Sequence, residues 1–186
     1  MIIFMGVAGS GKSAQGRLLA DRLGFPWLST GEFLRMLISG ERRKQMLAGK
    51  LLDDTEIISL VQKIFRIVDT EHEFVMDGFP RTVAQADWLL SQRRHGQLDI
   101  TAVIHLQASE DVVLDRLLSR GRQDDQAEVI RERFREYEQS TRPIINELKN
   151  DGVPIFEING EGEIESIHED IVRAVASVGT IGIHAE

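Results

Sequence analysis

Short apolar runs alternate along the chain with longer amphipathic stretches. Five such runs are rich in Ile, Val or Phe and are bounded by Gly, Pro or polar residues: Ile2–Met5, Phe25–Leu28, Phe74–Met76, Ala102–Leu106 and Pro154–Ile158. This length and composition are typical of strands that are buried on both faces. The pattern therefore predicts five strands of a parallel sheet.

The stretches between these runs place apolar residues at helical spacing. Three of them have a shared apolar face, formed by Leu18, Leu19 and Leu23, by Ile57, Ile58, Val61, Ile64 and Phe65, and by Val112, Val113, Leu114, Leu117 and Leu118. A long helix is predicted from Asp124 to Asn150, with a kink or break at Pro143. Because strands and helices alternate, we expect an α/β fold in which helices cover both faces of a five-stranded parallel sheet.

Length and composition narrow the class of protein. The 186 residues are 42% hydrophobic and 28% charged, which predicts a single folded domain over residues 1–186. No apolar run approaches the roughly 20 residues that span a bilayer, and the N-terminus lacks the basic region and cleavage site of a secretory signal. We expect a cytoplasmic protein without a membrane partner, and a frayed tail over Gly179–Glu186.

Charge and cysteine content exclude further classes. The chain has no cysteine, which rules out disulfides and cysteine-ligated zinc. Its 22 basic and 30 acidic residues give a net charge of −8, which argues against a general nucleic-acid binder.

A glycine-rich segment points to phosphate binding. Residues 6–13 read Gly-Val-Ala-Gly-Ser-Gly-Lys-Ser and fit the pattern G-x-x-x-x-G-K-[ST], between a predicted strand and a predicted helix. The glycines let backbone N–H groups converge on a phosphate at the positive end of the helix. Lys12 would reach the β- and γ-phosphates, and the Ser13 hydroxyl is placed for Mg²⁺. A plain strand-to-helix turn is the alternative, but this combination favours a nucleoside triphosphate site.

A second segment, residues 76–85, reads Met-Asp-Gly-Phe-Pro-Arg-Thr-Val-Ala-Gln. Asp77 ends a predicted strand, where a carboxylate can hold a water of the Mg²⁺ shell, and Arg81 offers a bidentate fork for a phosphate. Together with the phosphate loop, this segment resembles the nucleoside monophosphate kinases. It is most similar to the adenylate kinase family, whose D-G-F-P-R-T-x-x-Q signature it matches.

The resemblance implies a set of site residues. On the ATP side these are Gly9, Ser10, Gly11, Lys12, Ser13, Ala14, Arg116, Arg120 and Gly162, with Arg116 stacked on the donor base. On the AMP side they are Thr30, Arg35, Lys50, Leu51, Leu52, Gly78, Arg81, Gln85, Arg122 and Arg133. The catalytic residues would be Lys12, Arg81, Arg122 and Arg133, and the partners of Mg²⁺ would be Ser13 and, through water, Asp77. An acceptor-binding segment would span about residues 30–60, and a short lid about residues 120–126.

The reaction that this resemblance implies is reversible phosphoryl transfer from Mg·ATP to AMP, which yields two ADP. Such a transfer depends mainly on positioning and on stabilising negative charge. Within the family, the pair Thr30 and Gln85 implies AMP as the acceptor, and a UMP or CMP kinase or a weakly catalytic ATP-binding module are the alternatives. The minimal lid holds no zinc-ligand set, so no zinc is expected. The expected partners are ATP, AMP and ADP, and we expect a monomer.

Several of these residues have a purely structural alternative. Thr30 is a candidate N-cap of a helix that begins at Gly31, and Thr82 with Gln85 fits a capping box. Asp124 and Asp125 are candidates for a helix start, although the resemblance assigns them to lid closure and the metal. The remaining charged or ambiguous positions are expected at the surface or in packing: Arg131 and Arg135, paired with Glu128, Glu132 or Glu136, and His72, His95, His105, His168 and His184.

The chain departs from the family pattern near both nucleotides. Ser13-Ala14 follows the phosphate-loop lysine where the family usually has Gly-Thr, and Ala8 stands where Pro is common. The acceptor segment between Arg35 and Gly49 is several residues short, which leaves Arg42 and Arg43 as alternative candidates for a family arginine.

Overall fold

A computed structural model of the chain describes residues 1–48, 50–68 and 71–179. Within them lie five strands: β1 (Ile2–Met5), β2 (Trp27–Ser29), β3 (Val75–Asp77), β4 (Ala102–Gln107) and β5 (Ile155–Asn159). All neighbouring strands pair in parallel, in the order β2-β3-β1-β4-β5. The predicted five-stranded parallel sheet is therefore confirmed.

Each predicted strand is present, and four of them end one residue later than the apolar run. The three residues of β2 pair with the three residues of β3, so that Ser29 stands beside Asp77 at the carboxyl end of the sheet. Both side chains are buried although they are polar. The apolar pattern stops short of the functional end of the sheet, because polar residues occupy it.

The described residues also form nine α-helices: α1 (Lys12–Leu23), α2 (Thr30–Leu37), α3 (Gly40–Leu47), α4 (Asp54–Phe65), α5 (Val83–Arg94), α6 (Glu110–Arg120), α7 (Ala127–Glu136), α8 (Ile144–Asn150) and α9 (Ile164–Ala176). Helices α4, α5 and α8 pack on one face of the sheet, against Ile3 and Met5 of β1. Helices α1 and α9 pack on the other, against Ile2 and Phe4. Successive residues of a strand point to opposite faces, so β1 has side chains in both cores.

Some helical predictions are wrong in detail. Leu18 and Leu118 were expected on buried faces but are 39% and 47% exposed. The long helix begins at Ala127 and not at Asp124. A π-helical turn over Tyr137–Thr141 interrupts it, and the chain resumes as α8 after Pro143, in agreement with the break expected there.

The order of the strands positions a crevice. From β1 the chain passes to one side of the sheet for β2 and β3, and then to the other side for β4 and β5. In sheets of this kind ligands bind beyond the carboxyl ends of the strands, where the winding direction reverses. That point here is the end of β1, which leads directly into the glycine-rich segment.

Two expected features fall partly outside the described residues. Gly49 of the acceptor segment and residues 180–186 of the expected tail are not described. The described part of the acceptor segment consists of α2, α3 and the start of α4. Helix α3 contributes no buried residue. In the ranges that the structure describes, no helix has both the length and the apolar character needed to cross a membrane.

Candidate active site

A cavity of about 450 Å³ opens at the carboxyl ends of β1 and β3. Its wall contains most of the residues that the sequence assigns to nucleotides: Gly9, Gly11, Lys12, Ser13, Ala14, Arg35, Lys50, Leu51, Asp77, Gly78, Arg81, Arg116, Arg120, Arg122 and Arg133. These residues come from segments as distant along the chain as α1 and α7. The topology thus gathers both sequence signatures around one space.

The phosphate loop lies where β1 meets α1. Gly6, Gly9 and Gly11 all have positive φ, between 92° and 140°, which side chains other than glycine rarely tolerate. A Cβ on Gly6 would lie 2.3 Å from the carbonyl oxygen of Leu106 in the neighbouring strand. The N-cap of α1 is Gly11, which has no side chain to cap the helix. The first N–H groups of α1 are therefore available to an anion.

Lys12, Ser13 and Asp77 meet at the end of the sheet. Lys12 Nζ donates to the carbonyl oxygen of Val7 at 2.6 Å. The Ser13 hydroxyl donates to Asp77 Oδ2 at 2.6 Å, and the Ser29 hydroxyl lies 3.4 Å from the same oxygen. The sequence analysis missed Ser29, because its role depends on the pairing of β2 with β3.

The cavity concentrates positive charge in an acidic protein. Among the described residues of its wall, eight are basic: Lys12, Arg35, Lys50, Arg81, Arg116, Arg120, Arg122 and Arg133. Burial lowers the pKa of Arg35, the charges of Arg122 and Arg120 lower it further, and those of Glu32 and Asp124 oppose the change. So many basic side chains on one cavity wall indicate a site that is complementary to a polyanion.

Two of these arginines converge over the backbone of Gly31. A Cβ on Gly31 would lie 3.5 Å from Arg35 Nη1 and 3.7 Å from Arg81 Nη2. The Arg81 Nε donates to the carbonyl oxygen of Gly78 at 2.8 Å, which directs its guanidinium group along the turn after β3. The pair forms a fork that suits one phosphate group.

Two aspartates of the expected lid bond to arginines on either side of them in the sequence. Asp125 accepts hydrogen bonds from Arg120 Nε at 2.8 Å and Nη2 at 2.6 Å, and from the Arg122 N–H at 3.0 Å. Asp124 pairs with Arg133. The alternative of a helix start at the aspartates is wrong, since α7 begins at Ala127 with Gln126 as its N-cap. The aspartates instead hold the side chains of Arg120 and Arg133 and the backbone of Arg122.

The loop after β5 contacts the phosphate loop from the other side. Arg116 Nη1 donates to the carbonyl oxygen of Gly160 at 2.7 Å. A Cβ on Gly160 would lie 2.7 Å from the carbonyl oxygen of Ser10. At Gly162 a Cβ would meet Ile167 at an ordinary 3.7 Å. The close backbone approach therefore occurs at Gly160, two residues before the glycine assigned from the resemblance.

Five assigned residues are outside the cavity wall: Ser10, Thr30, Leu52, Gln85 and Gly162. Ser10 is 1% exposed, and its hydroxyl has no hydrogen-bond partner among the described residues. Thr30 is not an N-cap: α2 already includes it, and its hydroxyl donates to the carbonyl oxygen of Gly78 at 2.9 Å. Thr30 thus joins α2 to the turn after β3.

The capping-box interpretation of Thr82 and Gln85 is half right. Thr82 is the N-cap of α5, and its hydroxyl accepts the Gln85 N–H at 3.3 Å. The Gln85 side chain does not return to the Thr82 N–H, since its Oε1 accepts from the Arg81 N–H at 2.8 Å. Gln85 is 2% exposed, directly behind the backbone of a cavity residue.

Other cavity residues were not assigned to the site from the sequence, among them Leu34, Met46, Glu136, Tyr137 and Thr141, besides Ser29. The Thr141 hydroxyl donates to the carbonyl oxygen of Arg81 at 2.8 Å. Neither a sequence motif nor hydrophobic periodicity can reveal a contact between residues 60 positions apart.

The charged residues expected at the surface are largely there. Arg135 pairs with Glu132 at 2.5 Å as expected. Arg131, however, lies 3.8 Å from Glu110 of α6 and does not pair with an acidic residue of its own helix. The two arginines left open in the acceptor segment are both exposed: Arg42 pairs with Glu56, and Arg43 donates to the carbonyl oxygen of Arg35 at 3.3 Å. Neither lines the cavity.

One histidine is deeply buried. His105 is 4% exposed and lies 2.5 Å from the Tyr137 hydroxyl, and its pKa is lowered by burial. The described ranges contain no cluster of three or more His, Cys, Asp or Glu side chains that could hold a metal ion. His184 lies outside the described residues.

Comparison with known proteins identifies similar chains over almost the whole length. A family model described as adenylate kinase matches residues 4–153. An adenylate kinase of Corynebacterium urealyticum is 38% identical over 180 residues, which cover 94% of this chain and 98% of that protein. An adenylate kinase of Nocardia farcinica is 36% identical over the same shares of the two chains. One of Leptospira biflexa is 33% identical over 184 residues, again 94% and 98%.

Proposed function

Because the chain belongs to the adenylate kinase family, we propose that its cavity transfers the γ-phosphoryl group of ATP reversibly to AMP and yields two ADP. The enzyme is a nucleoside monophosphate kinase. One observation carries the proposal: a phosphate loop and the arginines of four other segments surround the same cavity. Such a site holds two phosphorylated ligands end to end.

The two nucleotides would approach from opposite sides of this cavity. On the donor side, the N-terminus of α1 and Lys12 hold the ATP phosphates, Arg120 flanks them, and Arg116 stacks on the donor base. On the acceptor side, the fork of Arg35 and Arg81 holds the AMP phosphate. Both nucleotides are thereby fixed with their phosphates facing each other, which converts a reaction between two molecules into one within a single complex.

The chemical step follows from this placement. The attacking oxygen of AMP is already anionic, so the chain needs no general base. The transferred phosphoryl group spreads negative charge over its equatorial oxygens. Lys12, Arg122 and Arg133 line the cavity and would stabilise that charge. Asp124 holds the Arg133 side chain, and Asp125 fixes the backbone of Arg122.

Ser13 and Asp77 fit a magnesium ion bound together with ATP. Mg²⁺ prefers oxygen ligands and usually takes one or two protein groups, several waters and the substrate phosphates. The Ser13 hydroxyl and a buried carboxylate oxygen of Asp77 lie 2.6 Å apart at the cavity wall. When bound, the ion would neutralise phosphate charge. Ser13 would supply its hydroxyl, and Asp77 would act through water.

AMP is the proposed acceptor because Thr30 and Gln85 are both present, a pair that implies AMP within the family that the sequence resembles, and because relatives of this chain are named adenylate kinases. We further propose one domain, with an acceptor segment near residues 30–60 and a short lid near residues 120–126. We propose a cytoplasmic monomer that acts on ATP, AMP and ADP with Mg²⁺, without zinc, nucleic acid or membrane. ATP, AMP and ADP are small molecules, and their binding requires no zinc, nucleic acid or membrane.

Phosphoryl transfer from Mg·ATP to a panel of monophosphates tests the proposal. We expect AMP to exceed UMP and CMP by about a hundredfold in kcat/KM, a difference of about 2.7 kcal/mol. An acceptor-free reaction measures the background of ATP hydrolysis. A pyrimidine acceptor that outperforms AMP would contradict the assignment of the acceptor. ATP binding without any phosphoryl transfer would contradict the proposal that the protein is an enzyme.

The state of Lys12 predicts a pH dependence. Burial lowers the pKa of Lys12 to about 8, assisted by the charges of Arg81 and Arg120 and opposed by Asp77. The lysine of the free enzyme therefore loses its proton as the pH rises through about 8, and only the ammonium form attracts phosphate. We expect kcat/KM for ATP to fall about tenfold per pH unit above that value. Steady-state kinetics between pH 7 and 10 at saturating AMP measures it.

A Lys12→Arg variant is the control for this titration, because a guanidinium group keeps its charge throughout that range. The affinity for ATP of both wild type and variant is measured by calorimetry over the same pH range. The affinity of the variant should show no titration near pH 8. If wild type and variant lose affinity in parallel, a group other than Lys12 is responsible.

The two glycines after β5 make a matched pair. We expect Gly160→Ala to raise the Kd for ATP about tenfold, since the new methyl group would collide with the carbonyl oxygen of Ser10 and displace the phosphate loop. Gly162→Ala has room for its methyl group and should change the Kd less than twofold. Calorimetric titration with ATP measures both. Equal weakening by the two substitutions would contradict the backbone geometry described for Gly160.

A further inference from the structure

The Gln85 side chain is held by two partners of opposite character. Its Nε2 donates to Asp54 Oδ1 at 2.8 Å, and its Oε1 accepts from the Arg81 N–H at 2.8 Å. A carboxylate can only accept and a backbone N–H can only donate. The two partners therefore specify which end of the Gln85 amide is nitrogen and which is oxygen.

Asp54 is itself held in place. Its Oδ1 also accepts the Thr82 hydroxyl at 2.7 Å, and that hydroxyl accepts the Gln85 N–H at 3.3 Å. Asp54, Thr82 and Gln85 thus form a closed ring of hydrogen bonds between the start of α4 and the start of α5. Rotation of the Gln85 amide by 180° would place its oxygen against the Asp54 carboxylate and its NH₂ group against the Arg81 N–H. Both hydrogen bonds would then be lost.

The locked amide retains a defined capacity for further bonds. A Gln side chain has two N–H donors and two oxygen lone pairs, and one of each is used here. One donor and one acceptor remain. The edge of adenine presents an amino donor and a neighbouring ring-nitrogen acceptor, and Gln pairs with it through two bonds. Hypoxanthine presents a 6-oxo acceptor in place of the amino donor.

The ring lies next to the acceptor half of the cavity. Arg81, whose N–H holds the amide oxygen, lines the cavity, and so does Leu51, three residues before Asp54. Gln85 is therefore fixed from both sides by chain segments that form the wall.

We propose that Asp54 is a positioning residue for acceptor specificity: by locking the orientation of the Gln85 amide, it makes the site accept a 6-aminopurine monophosphate and reject a 6-oxopurine monophosphate. This inference rests on the proposed function, in which Gln85 contacts the acceptor base. Asp54 acts through Gln85 and touches no substrate.

The test compares AMP with inosine monophosphate, which differs by the 6-oxo group. In Asp54→Asn the new side chain can either donate or accept, so that only the Arg81 N–H still favours one orientation of the Gln85 amide. We expect the ratio of kcat/KM for AMP to that for inosine monophosphate to fall about tenfold. The change should come from the KM values, with kcat for AMP and the Kd for ATP close to wild type. Asp54→Ala, which offers no acceptor, should lower the ratio in the same way.

Asp53→Asn is the matched control. It removes the same charge one residue earlier, where the Asp53 carboxylate caps α4 through the N–H groups of Thr55 and Glu56. Asn serves as an N-cap as well as Asp does. We expect this variant to keep the wild-type ratio.

The outcomes separate the two proposals. If the wild-type enzyme does not phosphorylate AMP, the proposed function fails, and this inference fails with it. If the wild type uses AMP and both folded Asp54 variants keep its ratio, the inference alone is overturned. It is also overturned if Asp53→Asn lowers the ratio as much, since the effect would then belong to the charge at the start of α4.

Discussion

Replacement of Arg81 by alanine is expected to lower kcat for phosphoryl transfer about 10³-fold, the scale on which a single phosphate-binding arginine acts in such reactions. The Arg81 guanidinium group lies over Gly31 beside that of Arg35, at the cavity wall. Without it, the acceptor phosphate loses one arm of its fork and its charge repels the donor phosphates. Quenched-flow or coupled kinetics at saturating ATP and AMP measures the loss.

The same substitution should leave ATP binding nearly unchanged, because Lys12 and the N-terminus of α1 hold the donor phosphates. The Arg81 backbone is fixed by Gln85 and Thr141, so the turn should keep its shape. Arg131→Ala, which removes an exposed arginine 3.8 Å from Glu110, is the control and should keep wild-type kcat. If Arg81→Ala turns over within tenfold of wild type, the acceptor phosphate is held elsewhere.

Much of the architecture could be predicted from the sequence, since most residues of the central strands β1, β3 and β4 are both buried and apolar. In β1 the apolar run is Ile2–Met5, and its bounds agree with the structure. The phosphate loop was equally predictable, because its chemistry depends on neighbouring residues. The prediction of buried helix positions was less accurate, since Leu18 and Leu118 are exposed to solvent. Helical spacing alone does not reveal whether other elements cover a given helix face.

The site was harder to predict wherever a residue acts through a distant partner. Gln85 was expected in a capping box or on a base, yet its amide is bound by Asp54, which lies 31 positions away. Asp125 has the same character, because its role depends on the path of the chain through the lid. Local pattern identifies residues capable of chemistry, whereas the tertiary fold decides which of them hold the others in position.

Asp125→Ala is expected to reduce the free energy of unfolding by about 3 kcal/mol, the lower end of the range for breaking a buried ion pair. The Asp125 side chain is 0% exposed, but its partner Arg120 is 34% exposed, so water compensates in part. For a chain of this length Tm should fall by roughly 10 °C. Urea unfolding followed by circular dichroism measures the difference, and Asp87→Ala, at an exposed position of α5, is the control.

The loss should depend on pH in a defined direction. Burial opposes ionisation of Asp125, but the hydrogen bonds from Arg120 and the Arg122 N–H, with the charges of Arg120 and Arg133, hold its pKa below the ordinary 3.8. A carboxyl group with a lowered folded-state pKa stabilises the protein above its unfolded pKa, and this stabilisation is lost as the pH falls through the folded value. The stability gap between wild type and Asp125→Ala should therefore be full at pH 7 and narrow below about pH 4. A gap that stays constant down to the acid transition would mean that the lost stability comes from packing, and not from the charged contacts that orient the lid arginines.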